Sequence, residues 1–132
     1  MQNSLTHARG WFLKAESDLA AARRVVDGDG PYDTACFHAQ QAVEKLLKGF
    51  LAFRDQAFPH THNLEELLGL CVAVKPGLRI GDVDLTELTP YAVQMRYDLE
   101  FWPDRSTART ALELALKVRG AVLALVPAEV RP

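Results

Sequence analysis

The stretch Ala35–Leu51, ACFHAQQAVEKLLKGFL, decides the reading of this chain. Cys36, Ala39, Val43, Leu46 and Phe50 recur at alternating steps of three and four, which places them on one face of an α-helix. Beside that face runs a second line, His38, Gln41, Lys45 and Lys48, offering an imidazole, an amide and two ammonium groups. A helix with one apolar stripe and one polar, partly cationic stripe is expected at the centre of a small bundle. Neighbouring segments supply apolar faces to cover it.

Working outward, the upstream segment from Ser4 or Thr6 to about Val26 carries Trp11, Ala15, Leu19, Ala22 and Val26 at helical spacing. Glu16, Asp18, Arg23 and Arg24 are expected on its wet side. GDGP at Gly28–Pro31 stops that helix, and Asp33 or Thr34 is a cap for the central one, which runs to Phe53 or Arg54. Downstream, Asn63 or Thr61 can cap a short third helix bearing Leu64, Leu67, Leu68 and Cys71. Pro76, Gly77 and Gly81 mark a loop. Asp84 or Thr86 opens a fourth helix in which Leu85, Leu88, Ala92, Met95 and Leu99 keep step. Pro90 is compatible with it only near the first turn. Pro103 ends this segment, and Ser106 or Asp104 caps a last helix to about Val126. No stretch alternates with the two-residue period of a half-buried strand. The expected fold is all-α, an up-and-down antiparallel bundle of four main helices plus one short helix, in a single domain over 1–132.

Bulk properties narrow the function. A chain of 132 residues with 48% hydrophobic and 24% charged residues is an ordinary globular domain, able to bury a core without staples. A net charge of -2 argues against strong nonspecific binding to nucleic acid, though a local basic patch remains compatible with it. Cys36 and Cys71 sit in apolar helical surroundings, as expected of buried thiols in a reducing compartment. Met1–His7 is polar rather than signal-like, and no apolar run would span a bilayer, so no membrane role and a cytoplasmic location are expected.

Three segments, AQQAVEKLLKGFL, PHTHNLEELL and YAVQMRYDLEF, together resemble the HEPN family, small helical domains of prokaryotes and higher eukaryotes. The resemblance runs from about Trp11 to about Val126 in the family's order. It implies a HEPN bundle, a dimer, and, for many members, a metal-independent ribonuclease built on an arginine and a histidine four to six residues apart in the fourth helix. It further implies a partner, a separately encoded minimal nucleotidyltransferase of a toxin–antitoxin pair.

Arg96 matches the family's functional arginine and lies in Arg96-Tyr97-Asp98. Arginine binds phosphate through a planar fork, and Tyr97 can stack or hydrogen-bond. From residue type alone, the plainer alternative is an arginine paired with Asp98 or Glu100 and a tyrosine at the core edge. The histidine positions hold Phe101, Trp102 and Pro103, none of which moves a proton. RNA cleavage by acid–base chemistry needs a group titrating near neutrality, whereas arginine does not deprotonate. The sequence therefore points to a HEPN protein that binds nucleotide or RNA and leaves its enzymatic status open. The alternative is an active ribonuclease toxin using Arg96 with a displaced histidine, His38 or His62. A purely structural oligomeric bundle is a third, duller possibility.

The binding candidates are Arg96, Tyr97, Asp98, Lys45, Lys48, Gln41 and His38, with Lys45, Lys48 and Arg96 forming an anion-binding surface between helices. Arg54 and His60 also have the family's spacing but straddle Pro59, so that match is read as coincidence. His62 is expected to orient or cap the third helix and His60 to be exposed. No cofactor or metal is expected, because His60-x-His62 lacks sequence-local ligands to complete a site. Glu44 and Lys48 read as a surface helical ion pair of a few tenths of a kcal/mol. The last helix is apolar on more than one side, through Leu112, Leu114, Leu116, Ala121 and Leu123 beside its main stripe. That favours a homo-oligomer, most simply a two-fold dimer.

Overall fold

The computed structural model describes residues 2–78, 80 and 84–132, with no side-chain description at 2 and 3. Five α-helices follow in order: α1 (Gln2–Asp27), α2 (Tyr32–Phe53), α3 (Leu64–Val74), α4 (Tyr91–Tyr97) and α5 (Arg105–Leu123). There is no strand among the described residues. Helix α2 is the hub: α1 runs back along it, α5 packs on it beside α1, and α3 and α4 lean on it from the other end of the chain's path.

The α2 stripe lies where its periodicity puts it, with Cys36, Ala39, Val43, Leu46 and Phe50 all wholly buried. Its neighbours Ala42, Leu47 and Leu51 are buried too, so α2 is covered on most of its circumference. Helix α1 inserts Ala8, Phe12, Ala15, Leu19, Ala22 and Val26. The stripe is thus led by Phe12 rather than Trp11, which is only partly buried at the edge of the core. Asp18, expected in water, is buried. At one point α1 and α2 nearly touch: a Cβ at Gly49 would lie 2.6 Å from Cε1 of the fully buried Phe12. Gly49→Ala is therefore expected to lower stability by about 1–3 kcal/mol, measured by urea denaturation, because an enclosed ring has little room to retreat.

The helix ends have local causes. Helix α2 begins directly after Pro31, with no side-chain cap; Asp33 instead accepts from the Thr34 amide inside the first turn. It closes in a Schellman arrangement, the Gln56 amide reaching Leu51 O and the Asp55 amide reaching Ala52 O. Asp55 occupies the left-handed position at φ 57° where glycine is usual, and Ser4 hydrogen-bonds its carboxylate. Asn63 caps α3 by accepting from the Glu66 amide at 2.9 Å, and Asp104 caps α5 by accepting from Thr107 at 2.8 Å.

The fourth helix differs from the expectation. Asp84 does cap a turn, but Leu85–Glu87 is a short 3-10 helix and α4 starts only after Pro90. Proline has no amide to donate, so the chain turns through Leu88–Pro90 and restarts with Pro90 at the N-cap. Leu85, Leu88 and Ala92 are buried, whereas Leu99 has left the helix and is 84% exposed. Gly81, expected in the preceding loop, lies outside the described residues. On α5, Ala108, Ala111, Ala115, Val118 and Val122 form the inner face, while Leu112 and Leu123 are also buried within the chain. Leu114, Leu116 and Ala121 remain partly covered. No described helix is long and apolar enough to cross a membrane.

Candidate functional site

The polar line of α2 is an internal seam rather than a free cationic face. Asp18, reaching across from α1, accepts from Lys45 Nζ at 2.6 Å through one oxygen and meets His38 Nδ1 at 2.7 Å through the other. A second carboxylate, Glu44, is only 6% exposed and gathers Lys48 Nζ at 2.9 Å and His62 Nδ1 at 2.7 Å. Gln40 Nε2 donates both to Glu44 Oε1 and to the His62 carbonyl, and its own oxygen accepts from Gln41 at 2.7 Å. The Lys48 ammonium also sits 5.6 Å from the Trp11 ring centre and 5.9 Å from that of Phe58. Lys45 and Lys48 are thus neutralised within the fold. The Glu44–Lys48 pair belongs among buried ion pairs, not the surface pairs its spacing suggests.

The second network fixes the loop between α2 and α3. His62 docks it onto Glu44 while Asn63 does the capping, so His62 orients the start of α3 through α2 rather than by capping it. Burial alone would raise the Glu44 carboxyl, but hydrogen bonds from His62, Lys48 and Gln40 and the Lys48 charge bring it below its ordinary value of 4.5. His60 is exposed. Arg54 is turned to the Val74 carbonyl at 3.1 Å, which ties α2 to α3 and leaves the Arg54–His60 spacing without a shared site.

Arg96 lies in the last turn of α4. Its guanidinium carbon is 5.5 Å from the ring centre of Phe37 on α2 and 5.5 Å from that of Tyr97. Nε and Nη2 donate to the Ala92 carbonyl at 3.1 and 2.8 Å, so the fork is held rigid by its own helix. The remaining nitrogen, Nη1, has no protein partner among the described residues. Neither Asp98 nor Glu100 pairs with Arg96 there; Asp98 instead accepts from the Glu100 amide at 3.1 Å and turns the chain. Tyr97 is 70% exposed and Trp102 73% exposed, while Phe101 folds in against Tyr91 with ring centres 5.4 Å apart. The result is one oriented guanidinium flanked by outward aromatic surface.

His38 is linked to Arg96 only through Phe37. Its ring stands edge-on to Phe37, with centres 5.4 Å apart, so Arg96 and His38 share one aromatic neighbour. The cysteines take no part: burial pushes Cys36 up to about 12, with Asp33 and Asp104 adding to the effect, and burial alone pushes Cys71 to about 12. Thiols held that high are not nucleophiles at neutral pH. Asp18, Gln40 and Glu44 build the site without standing out as candidates in the sequence. A signal is there nonetheless, since Gln40, Glu44 and Lys48 recur every four residues, each following a core residue.

These features define a helical-bundle protein with a carboxylate-stapled seam and an exposed arginine held by its own helix. The HEPN domain model matches residues 8–125, and the chain belongs to the HEPN family. It is similar in structure to TT1696 from Thermus thermophilus, known from a crystal structure, with a TM-score of 0.70 and 32% identity over 90% of this chain and 98% of that one. No curated protein matches the chain.

Proposed function

We propose that this HEPN protein binds a nucleotide or RNA through Arg96 and Tyr97, and does so as the partner of a separately encoded minimal nucleotidyltransferase in a toxin–antitoxin-type pair. The observation that carries the reading is the Arg96 guanidinium, held on the Ala92 carbonyl 5.5 Å from the ring centres of Phe37 and Tyr97, with Nη1 unbonded among the described residues. A pre-oriented guanidinium suits a phosphate oxygen, and an exposed tyrosine suits a base. Binding rather than efficient cleavage follows from Phe101, Trp102 and Pro103 standing where the family's histidine is expected. Lys45 and Lys48 act at a distance, by holding α1, α2 and the following loop in place. A cytoplasmic location fits the two free, buried thiols.

Exposed Val93, Leu99 and Trp102 around α4 supply apolar surface for a homodimer or higher homo-oligomer. Co-expression with a minimal nucleotidyltransferase tests the partnership: the two proteins are expected to co-purify through size exclusion. Separate elution, with no nucleotide or RNA bound by either species, would overturn it.

One observation favours a second reading, an active ribonuclease toxin. His38 is held by a buried aspartate in the manner of an oriented acid–base histidine, one aromatic ring away from Arg96. Growth arrest on expression, abolished by Arg96→Ala and by His38→Ala, would select that reading over the binding one.

A further inference from the structure

The geometry points to a docking groove between α1 and α5 that takes an acidic segment of a partner protein and shares no lining residue with Arg96 or Tyr97. Glu16, Ala20 and Arg23 follow one another at steps of four and three along α1, and Leu116, Arg119 and Leu123 at steps of three and four along α5. Where the two helices pack, Arg23 and Arg119 line one cavity of about 370 Å³. Arg119 also walls a second cavity, of about 570 Å³, which it shares with Arg131. Three guanidiniums are therefore strung along one groove, in a chain whose net charge is -2.

Arg119 donates its Nε hydrogen to Glu16, and Arg131 donates its own to the Val126 carbonyl at 3.0 Å. Both are oriented by the fold, while their terminal nitrogens have no protein partner among the described residues. Arg23 is exposed and has no partner there at all. Glu16 shows the kind of group the groove accepts, since a carboxylate matches the planar fork of a guanidinium. One side-chain carboxylate stands against three such forks, so the groove is short of negative charge. Their spread over two cavities suits an extended ligand better than one small anion. Among the described residues no aromatic ring lines either cavity, so a nucleic-acid strand finds nothing on which to stack its bases. Leu19 and Leu123 are buried at the floor and Leu116 is partly exposed, which offers contact to an aliphatic side chain. Carboxylates interspersed with aliphatic side chains are the chemistry of an acidic protein segment.

The test measures, by fluorescence anisotropy, binding of the full chain to a labelled synthetic peptide of glutamate and leucine at helical spacing. Two control peptides carry glutamine in place of glutamate, or serine in place of leucine. The wild-type protein is expected to bind the first peptide about tenfold more tightly than the glutamine peptide, a preference that added salt erases. Its preference over the serine peptide is smaller. Arg23→Glu and Arg131→Glu each reverse an exposed charge and should each weaken binding about fivefold. Arg96→Ala should leave it unchanged. Equal affinity for the glutamate and glutamine peptides overturns the inference without requiring any variant to fold, as does wild-type binding by Arg23→Glu. Neither result bears on the nucleotide reading of Arg96. Displacement of the peptide from Arg96→Ala protein by single-stranded RNA, as effective as by unlabelled peptide, would give the groove to nucleic acid and overturn the assignment to a protein partner.

Discussion

Glu44→Ala is expected to destabilise the protein by about 3–5 kcal/mol, because it strands a buried ammonium at Lys48. The substitution also frees His62 and one hydrogen bond from Gln40, so the loop after α2 loses its anchor. Replacing both charges together, as Glu44→Leu with Lys48→Met, should recover much of the loss, since removing a whole buried pair is far milder than halving it. Urea denaturation of the three proteins measures this. Equal losses in the single and double variants would mean that the network acts through packing rather than charge.

Acid should act on the same carboxyl. Glu44 titrates below 4.5 when folded, so the unfolded chain takes up the proton first as pH falls. Its contribution is complete above that ordinary value and is lost as pH falls through the depressed folded value. The wild-type protein is thus expected to weaken in this acid window more than a Glu44→Gln variant does.

Arg96→Ala is expected to reduce nucleotide or RNA affinity by tenfold or more while leaving the melting temperature nearly unchanged. Hydrogen bonds from a charged donor are worth about 1.5–3 kcal/mol, or roughly ten- to a hundredfold in affinity. Arg96→Lys should bind almost as poorly as the alanine variant. An ammonium lacks the planar fork that bonds the Ala92 carbonyl through two nitrogens and still leaves a third unbonded. Isothermal titration with mononucleotides and a short RNA measures it. Unaltered affinity in Arg96→Ala would remove Arg96 from the binding face.

Much of this molecule is legible in its sequence, and the parts that are not have physical reasons. The α2 stripe and the inner face of α5 are readable because both repeat without interruption over several turns. The true course of the fourth helix is hidden by Leu85, Leu88 and Ala92. Their spacing is helical, yet Pro90 forces the chain to turn and restart between them. Lys45 and Lys48 read as a cationic face because the sequence shows neither the partner of Lys45 nor the burial of the Glu44–Lys48 pair. Asp18 comes from another helix, and Glu44 has the spacing of an ordinary surface pair although the fold buries it. Spacing within one helix cannot reveal a partner that arrives from a second. Arg96 stands out through its resemblance to the family's arginine. Its contact with Phe37 of α2 is invisible at that level, because the two residues meet only in the fold.

The proposed function requires Arg96 to hold a phosphate that nothing at positions 101–103 can help to cleave. The direct measurement incubates the purified protein with end-labelled single-stranded RNA in the presence of a chelator, then resolves the same sample on native and denaturing gels. A shifted complex whose RNA runs at full length, with the shift lost in Arg96→Ala, is the predicted result. RNA cut into fragments by the wild-type protein and left whole by Arg96→Ala would contradict it.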